Sequence, residues 1–177
     1  IESMNGSIQV ESVPGEGTTF TFQLPFLLDD TACSNRKREQ TAETDAAGMK
    51  ILVVEDNEIN MEIAEFYLTE AGAKTEKAWN GAEAVQKFAE SEAGSFDAIL
   101  MDVMMPVMDG LEATRRIRAL EHPDAGTVTI LAMTAQSSAD SIHQCEQAGM
   151  NGYIAKPVEA AELIKILSEK CPKGCKN

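Results

Sequence analysis

The sequence has little positive charge, no long apolar run and few cysteines. Its 15 Lys and Arg residues stand against 29 Asp and Glu, for a net charge of -14 at pH 7. Nucleic acid is disfavoured as a direct partner because binding to phosphate groups needs clustered Lys and Arg. No apolar run approaches the roughly 20 residues that cross a bilayer, and the chain does not open on a signal peptide. We therefore expect a cytoplasmic location without direct membrane contact, although a longer parent protein could be membrane-anchored.

The four cysteines are too sparsely placed to indicate a metal or disulfide framework. They are Cys33, Cys145, Cys171 and Cys175. Cys171 and Cys175 lie close together, but no second pair of Cys or His residues stands at zinc-ligand spacing. Free thiols of a cytosolic protein are favoured over a metal site or a disulfide.

Residues 1–28 have the pattern of a β-hairpin. Apolar and polar residues alternate around the turn Pro14-Gly15-Glu16-Gly17, for example at Val10 before it and Phe20 after it. Two strands alone are marginally stable in water, so this hairpin is expected to be the edge of something larger. Residues 29–48 lack aromatic residues and any hydrophobic period, which predicts a flexible linker.

Residues 49–172 alternate strand and helix patterns, and residues 173–177 form a tail. Predicted strands cover 50–54, 74–78, 97–101, 128–133 and 152–155, and helical spacing follows each of them. In the first helix the recurring apolar residues are Ile59, Ile63, Phe66 and Tyr67. Such alternation predicts an α/β fold with a doubly wound five-stranded parallel sheet and five helices. Right-handed crossovers favour the flavodoxin-like strand order 2-1-3-4-5.

Polar residues stand where four of the predicted strands end. Glu55 and Asp56 follow the first strand, Asp102 the third, Thr134 the fourth and Lys156 the fifth. Ligands of doubly wound sheets bind at the carboxyl ends of the strands. The coincidence at four strands therefore predicts one site.

Charge counting indicates what this site would bind. Three carboxylates repel one another, and each like-charge pair at 4 Å costs about 4 kcal/mol at an effective dielectric constant of 20. A divalent ion together with Lys156 would bring the total to zero, and an all-oxygen environment favours Mg²⁺ or Mn²⁺. The same groups could neutralise an incoming phosphoryl group while Asp102 attacks it in line and Thr134 donates a hydrogen bond.

The motifs at these strand ends resemble those of response-regulator receiver domains. They read Val54-Glu55-Asp56-Asn57, Met101-Asp102-Val103-Met104-Met105-Pro106-Val107-Met108-Asp109-Gly110, Met133-Thr134-Ala135 and Lys156-Pro157. The resemblance covers some 120 residues in matching order and spacing. It implies a module that accepts a phosphoryl group from phosphohistidine in a two-component phosphorelay.

The resemblance also implies a role for each site residue. Asp102 would be the phosphoacceptor, contacted in its phosphorylated form by Thr134 and Lys156. Asp56, Asp102 and the main-chain carbonyl of Met104 would bind Mg²⁺ directly, and Glu55 would act through water. Tyr153 matches an aromatic switch position that would respond, with Thr134, by changing the face made by the fourth helix, fifth strand and last helix. The Lys156–Pro157 bond is expected to be cis.

Residues 1–28 are similar to the end of a histidine-kinase ATP-binding domain. The resemblance is carried by Met4-Asn5-Gly6-Ser7-Ile8-Gln9-Val10-Glu11-Ser12, Gly15-Glu16-Gly17-Thr18-Thr19-Phe20 and Leu24-Pro25. Together the two resemblances imply a piece of a hybrid sensor histidine kinase. The kinase histidine and the nucleotide-binding boxes are expected upstream, so this piece would accept phosphoryl groups without generating them. Its expected partners are the kinase core or a histidine phosphotransfer protein, and its expected state is a monomer or weak dimer.

Three alternative functions remain at this stage. A phosphatase with an aspartyl nucleophile would resemble a D-x-D-x-T pattern, but Met104 occupies the second acidic position. A pseudo-receiver that only binds partners usually lacks an acidic residue or the lysine, and this chain has them all. A working kinase would show ATP hydrolysis or autophosphorylation.

Overall fold

The structure is a computed structural model that describes residues 6–13, 15, 17–23, 25, 46–135 and 138–171. The chain divides into two compact units, Ile1–Ala42 and Glu43–Asn177. Most of the predicted linker and the predicted tail lie outside the described residues.

The first unit contains the predicted hairpin. Strands β1 (Ser7–Val13) and β2 (Gly17–Gln23) are antiparallel. Their register pairs Ile8 with Phe22 and Val10 with Phe20, and these four side chains are at least half exposed. The hairpin therefore presents an apolar cluster that its own two strands leave uncovered.

The second unit is built on a parallel sheet of five strands. They are β3 (Lys50–Val54), β4 (Lys74–Ala78), β5 (Ala98–Asp102), β6 (Thr129–Thr134) and β7 (Gly152–Ala155). The spatial order β4-β3-β5-β6-β7 is the predicted 2-1-3-4-5 order counted from β3. Strands β3, β5 and β6 are almost wholly buried because helices cover both faces of the sheet. The predicted fold class is confirmed.

Five helices follow the five strands. They are α1 (Glu58–Glu70), α2 (Gly81–Ala89), α3 (Gly110–Arg118), α4 (Ala139–Ala148) and α5 (Ala160–Lys170). The first four begin after a residue whose side chain accepts a backbone N–H bond of the first turn: Asn57, Asn80, Asp109 and Ser138. Helices α1 and α5 bury their apolar residues in one core layer, and α2, α3 and α4 bury theirs in another.

Helix α1 forms as predicted, but most of its predicted apolar stripe does not face the core. Ile59, Ile63 and Phe66 are 68%, 40% and 61% exposed. The residues that α1 buries against the sheet are Met61, Ala64 and Leu68. Both sets recur at helical spacing, so the periodicity correctly predicts a helix but does not indicate which of the two sets faces the core.

The packing of the second unit begins before residue 49. Ala46 is buried, and the Gly48 amide donates to the carbonyl of Gly72, two residues after the end of α1. The last three residues of the predicted linker are thus part of this unit. Among the described residues, no helix is both long enough and apolar enough to cross a membrane.

Candidate functional site

The sheet register brings the predicted site residues to one edge. Val54 pairs with Met101, so Glu55 and Asp102 follow neighbouring positions on β3 and β5. Asp102 in turn pairs with Met133 on β6, directly before Thr134. The Lys156 amide donates to the Thr134 carbonyl at 2.8 Å, which fixes the start of the connection after β7.

Lys156 lies between two buried carboxylates. Its Nζ is 2.5 Å from Glu55 Oε2 and 2.9 Å from Asp102 Oδ2. Glu55 and Asp102 are only 1% and 5% exposed, so both ion pairs are shielded from water. Asp56 is exposed beside them, and one carboxylate oxygen each of Glu55, Asp56 and Asp102 lie within 4.8 Å of one another.

The remaining carboxylate oxygens have further hydrogen-bond donors. The Asn60 amide group donates to Glu55 Oε1 at 3.0 Å, and the backbone N–H of Met104 donates to Asp102 Oδ1 at 3.2 Å. Asn60 was missed by the sequence reasoning. The available signal was its position in the first turn of α1, five residues after Glu55, where a helix turns back toward the preceding strand end.

Burial and charge shift the pKa values of this cluster. Burial raises the pKa of Asp102 and the charge of Glu55 adds to this, against the opposing hydrogen bonds from Lys156 and the Met104 amide. Burial alone would lower the pKa of Lys156, but the hydrogen bonds and charges of Asp102 and Glu55 outweigh it and raise that pKa. Lys156 is therefore a cation at neutral pH.

The three carboxylates and Lys156 leave two negative charges in a compact set of oxygen donors. A divalent ion balances them, and oxygen ligands suit Mg²⁺ or Mn²⁺ rather than softer metals. The donor set of Glu55, Asp56 and Asp102 thus fits the predicted ion.

The remaining predicted site residues lie on strands β6 and β7 and in the loops that follow β5 and β7. Thr134 is buried at the end of β6, and Tyr153 on β7 is 38% exposed. The main chain of Met104 lies against Asp102 through its amide. The Lys156–Pro157 bond is cis, as predicted.

Comparison with known proteins identifies the family. Residues 51–168 match the sequence profile of the response regulator receiver domain. The chain belongs to the response regulator receiver family. It is a receiver domain of two-component signal transduction, and the predicted resemblance is confirmed.

Several individual proteins are similar to it. The osmosensing histidine protein kinase SLN1 of Saccharomyces cerevisiae is 39% identical over 154 residues, which cover 83% of this chain and 12% of SLN1. The receiver domain of sensor histidine kinase PA1611 from Pseudomonas aeruginosa, solved with magnesium in its active-site cleft, is 41% identical. That match has a TM-score of 0.64 and covers 71% of this chain and 98% of that one.

A further similar structure contains a partner. It is the complex of the S. cerevisiae histidine phosphotransfer protein Ypd1 with the receiver domain of Ssk1, at 32% identity and a TM-score of 0.62. The match covers 70% of this chain and 88% of that chain. The chain spans only 7%, 12% and 17% of the length of three histidine kinases that it matches.

Proposed function

We propose that Asp102 accepts a phosphoryl group from a phosphohistidine. The observation that carries this is the Lys156 ammonium group held between Glu55 and Asp102. An Asp102 carboxylate oxygen attacks phosphorus as the imidazole nitrogen leaves, and an acyl phosphate forms. Lys156 neutralises charge on the phosphoryl oxygens and Thr134 donates a hydrogen bond to one of them.

Glu55, Asp56, Asp102 and the Met104 carbonyl are the groups that would hold Mg²⁺ or Mn²⁺. An ion held there would supply positive charge to the phosphoryl oxygens during transfer. The magnesium in the PA1611 receiver and the convergence of three carboxylates here support this assignment.

We assign the read-out to Thr134 and Tyr153. Phosphorylation draws Thr134 toward the phosphoryl group, and Tyr153 turns inward from its half-exposed position on β7. That movement would alter the face made by α4, β7 and α5. The support is positional, since β7 lies at the sheet edge in contact with both helices.

We infer that the exposed face of α1, formed by Ile59, Ile63 and Phe66, contacts the phosphohistidine-bearing partner. A protein that brings its phosphohistidine side chain to Asp102 has to cover the rim of the site. Helix α1 begins at that rim, directly after Asp56 and Asn57. An apolar stripe at positions i, i+4 and i+7 fits a helical partner surface. Ile63 also lines a cavity of about 150 Å³ that reaches Glu55 and Lys156, so the stripe adjoins the reacting groups.

We propose a hybrid sensor histidine kinase as the parent protein, with residues 1–28 as the end of its ATP-binding domain. The uncovered apolar face of the hairpin supports a larger domain around it. The match to SLN1 supports it further, because it covers 83% of this chain and so extends beyond the receiver region. The compartment would be the cytoplasm, where a kinase finds ATP.

A phosphate-affinity gel tests the assignment of Asp102. After incubation with acetyl phosphate and Mg²⁺, the wild-type chain should give a slower band that EDTA prevents and that Asp102→Asn lacks. Asp109→Asn is the matched control: it removes a carboxylate from the same loop, and Asn caps helix α3 as well as Asp does. The assignment would be refuted if Asp102→Asn gave the slower band, or if Asp109→Asn lost the band while Asp102→Asn kept it.

A transfer assay tests the partner. Ypd1 is phosphorylated on histidine with phosphoramidate, freed of the reagent and mixed with the chain in Mg²⁺. The phosphoryl group should move from Ypd1 to the wild-type chain and not to Asp102→Asn, as seen on a phosphate-affinity gel. If the chain is phosphorylated by acetyl phosphate but accepts no phosphoryl group from phosphorylated Ypd1, this class of donor would be refuted.

A further inference from the structure

The loop between β5 and α3 contains a strained turn. Val107 has φ 70°, a left-handed conformation that is a genuine outlier for a β-branched residue. The Met108 amide donates to the Pro106 carbonyl at 2.8 Å, two residues back. A bond of that span around a residue with positive φ is the rare, strained form of the γ-turn.

Close packing on both sides holds the turn in place. The Gly110 amide donates to the Val103 carbonyl at 3.0 Å, and the Gly81 amide to the Met108 carbonyl at 3.1 Å. A Cβ atom on Gly110 would lie 2.1 Å from the Asp102 carbonyl oxygen, and one on Gly81 would lie 2.6 Å from the Met108 carbonyl oxygen. The backbone at both ends of the turn is therefore fixed by its neighbours, which is how such strain persists.

The folded structure does not explain why an apolar, β-branched residue occupies this strained position. Val107 is 87% exposed and Met104, in the same loop, is 81% exposed. An Asn or Gly residue would adopt this conformation with less strain. Two large apolar side chains thus point into solvent from a loop whose backbone is rigidly held.

The loop also borders the reacting carboxylate. The Met104 amide bonds Asp102, two residues before it, and the loop leads into α3. Helix α3 belongs to the core layer opposite that of α1. A donor that reaches Asp102 would meet the exposed face of α1 on one side of the site and the Met104–Val107 loop on the other.

We propose that Val107, with Met104, is a specificity-determining contact for the phosphohistidine-bearing partner. The strained turn holds the Val107 side chain outward at the rim, and a donor with a complementary apolar surface docks against it. The proposal rests on the proposed function, since it presupposes a protein donor to Asp102. A small donor such as acetyl phosphate has no surface to dock and should be indifferent to Val107.

Three substitutions separate apolarity from strain. Val107→Thr keeps the shape and the β-branch but replaces one methyl group by a hydroxyl group, so the strain remains and the side chain becomes less apolar. Val107→Asn loses apolarity and relieves strain, because Asn tolerates left-handed backbone. Val107→Ile keeps both properties. Each variant is assayed with phosphorylated Ypd1, with acetyl phosphate, by thermal unfolding and by analytical ultracentrifugation.

For transfer from Ypd1, Val107→Thr and Val107→Asn should lower kcat/KM about fivefold or more, and Val107→Ile should match the wild type. Labelling by acetyl phosphate should be unchanged in all three. The melting temperature should rise by about 2–4 °C in Val107→Asn only. All variants should sediment as the wild type does.

Other outcomes would overturn the inference in identifiable ways. Wild-type transfer in Val107→Thr and Val107→Asn would show that the donor does not contact the side chain. Reduced labelling by acetyl phosphate would assign the loop a role in the reaction itself. An unchanged melting temperature in Val107→Asn would remove the strain argument, and a shift in self-association would make a second copy the occupant. Failure of the wild type with acetyl phosphate would instead refute the proposed function.

Discussion

Helices α1 and α3 start from equivalent places and differ in their outer faces. Each follows a strand that ends in the acidic cluster, α1 after β3 and α3 after β5. Each buries one face: Met61, Ala64 and Leu68 in α1, and Ala113, Thr114 and Ile117 in α3. The outer face of α3 carries Glu112 paired with Arg115 and Arg116, whereas that of α1 carries Ile59, Ile63 and Phe66.

The difference between the two outer faces distinguishes residues that stabilise the fold from residues suited to bind a partner. A surface helix ordinarily turns charged residues to solvent, as α3 does. Exposed apolar residues that cluster on one face mark an interaction surface. In α1 one apolar stripe packs against the sheet, and the other is the exposed face that we propose to contact the donor beside Asp102.

The largest expected effect lies on the buried stripe of α1. Leu68→Ala should lower the free energy of unfolding by about 2–5 kcal/mol, because it leaves a cavity at a fully buried position. Phe66→Ala, two residues earlier on the exposed face, should change it by no more than about 0.5 kcal/mol. Urea unfolding measures both. Equal losses would mean that Phe66 packs in the core after all.

Transfer from a protein donor should show the opposite ranking. Phe66→Glu places a charge in the apolar face of α1 and should lower kcat/KM for phosphorylated Ypd1 about tenfold, or about 1.4 kcal/mol. Arg115→Glu is the matched change on the outer face of α3 and should stay within about twofold. Both variants should label normally with acetyl phosphate. Comparable losses in the two would place the donor on both helices and break the contrast.

These contrasts also show what could be predicted from the sequence. Parallel strands align their carboxyl ends, so Glu55, Asp102 and Lys156 could be brought together from strand patterns alone. The exposed stripe of α1 could not be recognised, because Ile59, Ile63 and Phe66 have the same periodicity as a core face. The position of Asn60 in the first turn of α1 was a signal for its contact with Glu55, whereas the positive φ of Val107 depends on the packing of its loop.

A smaller effect should distinguish the acidic residues that precede the two helices. The raised pKa of Asp102 means that the folded state binds its proton more tightly than the unfolded state does. The contribution of Asp102 to the stability of the metal-free wild type should therefore fall as pH rises through the range just above 3.8, the ordinary pKa of this group. Asp102→Asn lacks this penalty and should be more stable than the wild type at neutral pH in EDTA, as measured by urea unfolding.

Asp56→Asn is the control for that change. Asp56 is exposed, so its substitution removes no buried carboxylate and should stabilise the metal-free chain less than Asp102→Asn does. Mg²⁺ should raise the melting temperature of the wild type by mass action and that of Asp102→Asn much less. A less stable Asp102→Asn in EDTA would show that its pairing with Lys156 outweighs the cost of burial.

The smallest expected effect lies on the outer face of α3. Glu112→Gln removes the carboxylate that lies 2.8 Å from Arg116 Nε and 3.8 Å from Arg115 Nη1. Exposed pairs of this kind contribute about 0.3–0.5 kcal/mol, and salt screens them. The loss in urea unfolding should therefore be small and should shrink further in about 0.5 M salt. If it is, the outer face of α3 contributes to folding through charges that salt screens, whereas Phe66 on the outer face of α1 carries no charge, and the role that we propose for it is contact with a partner.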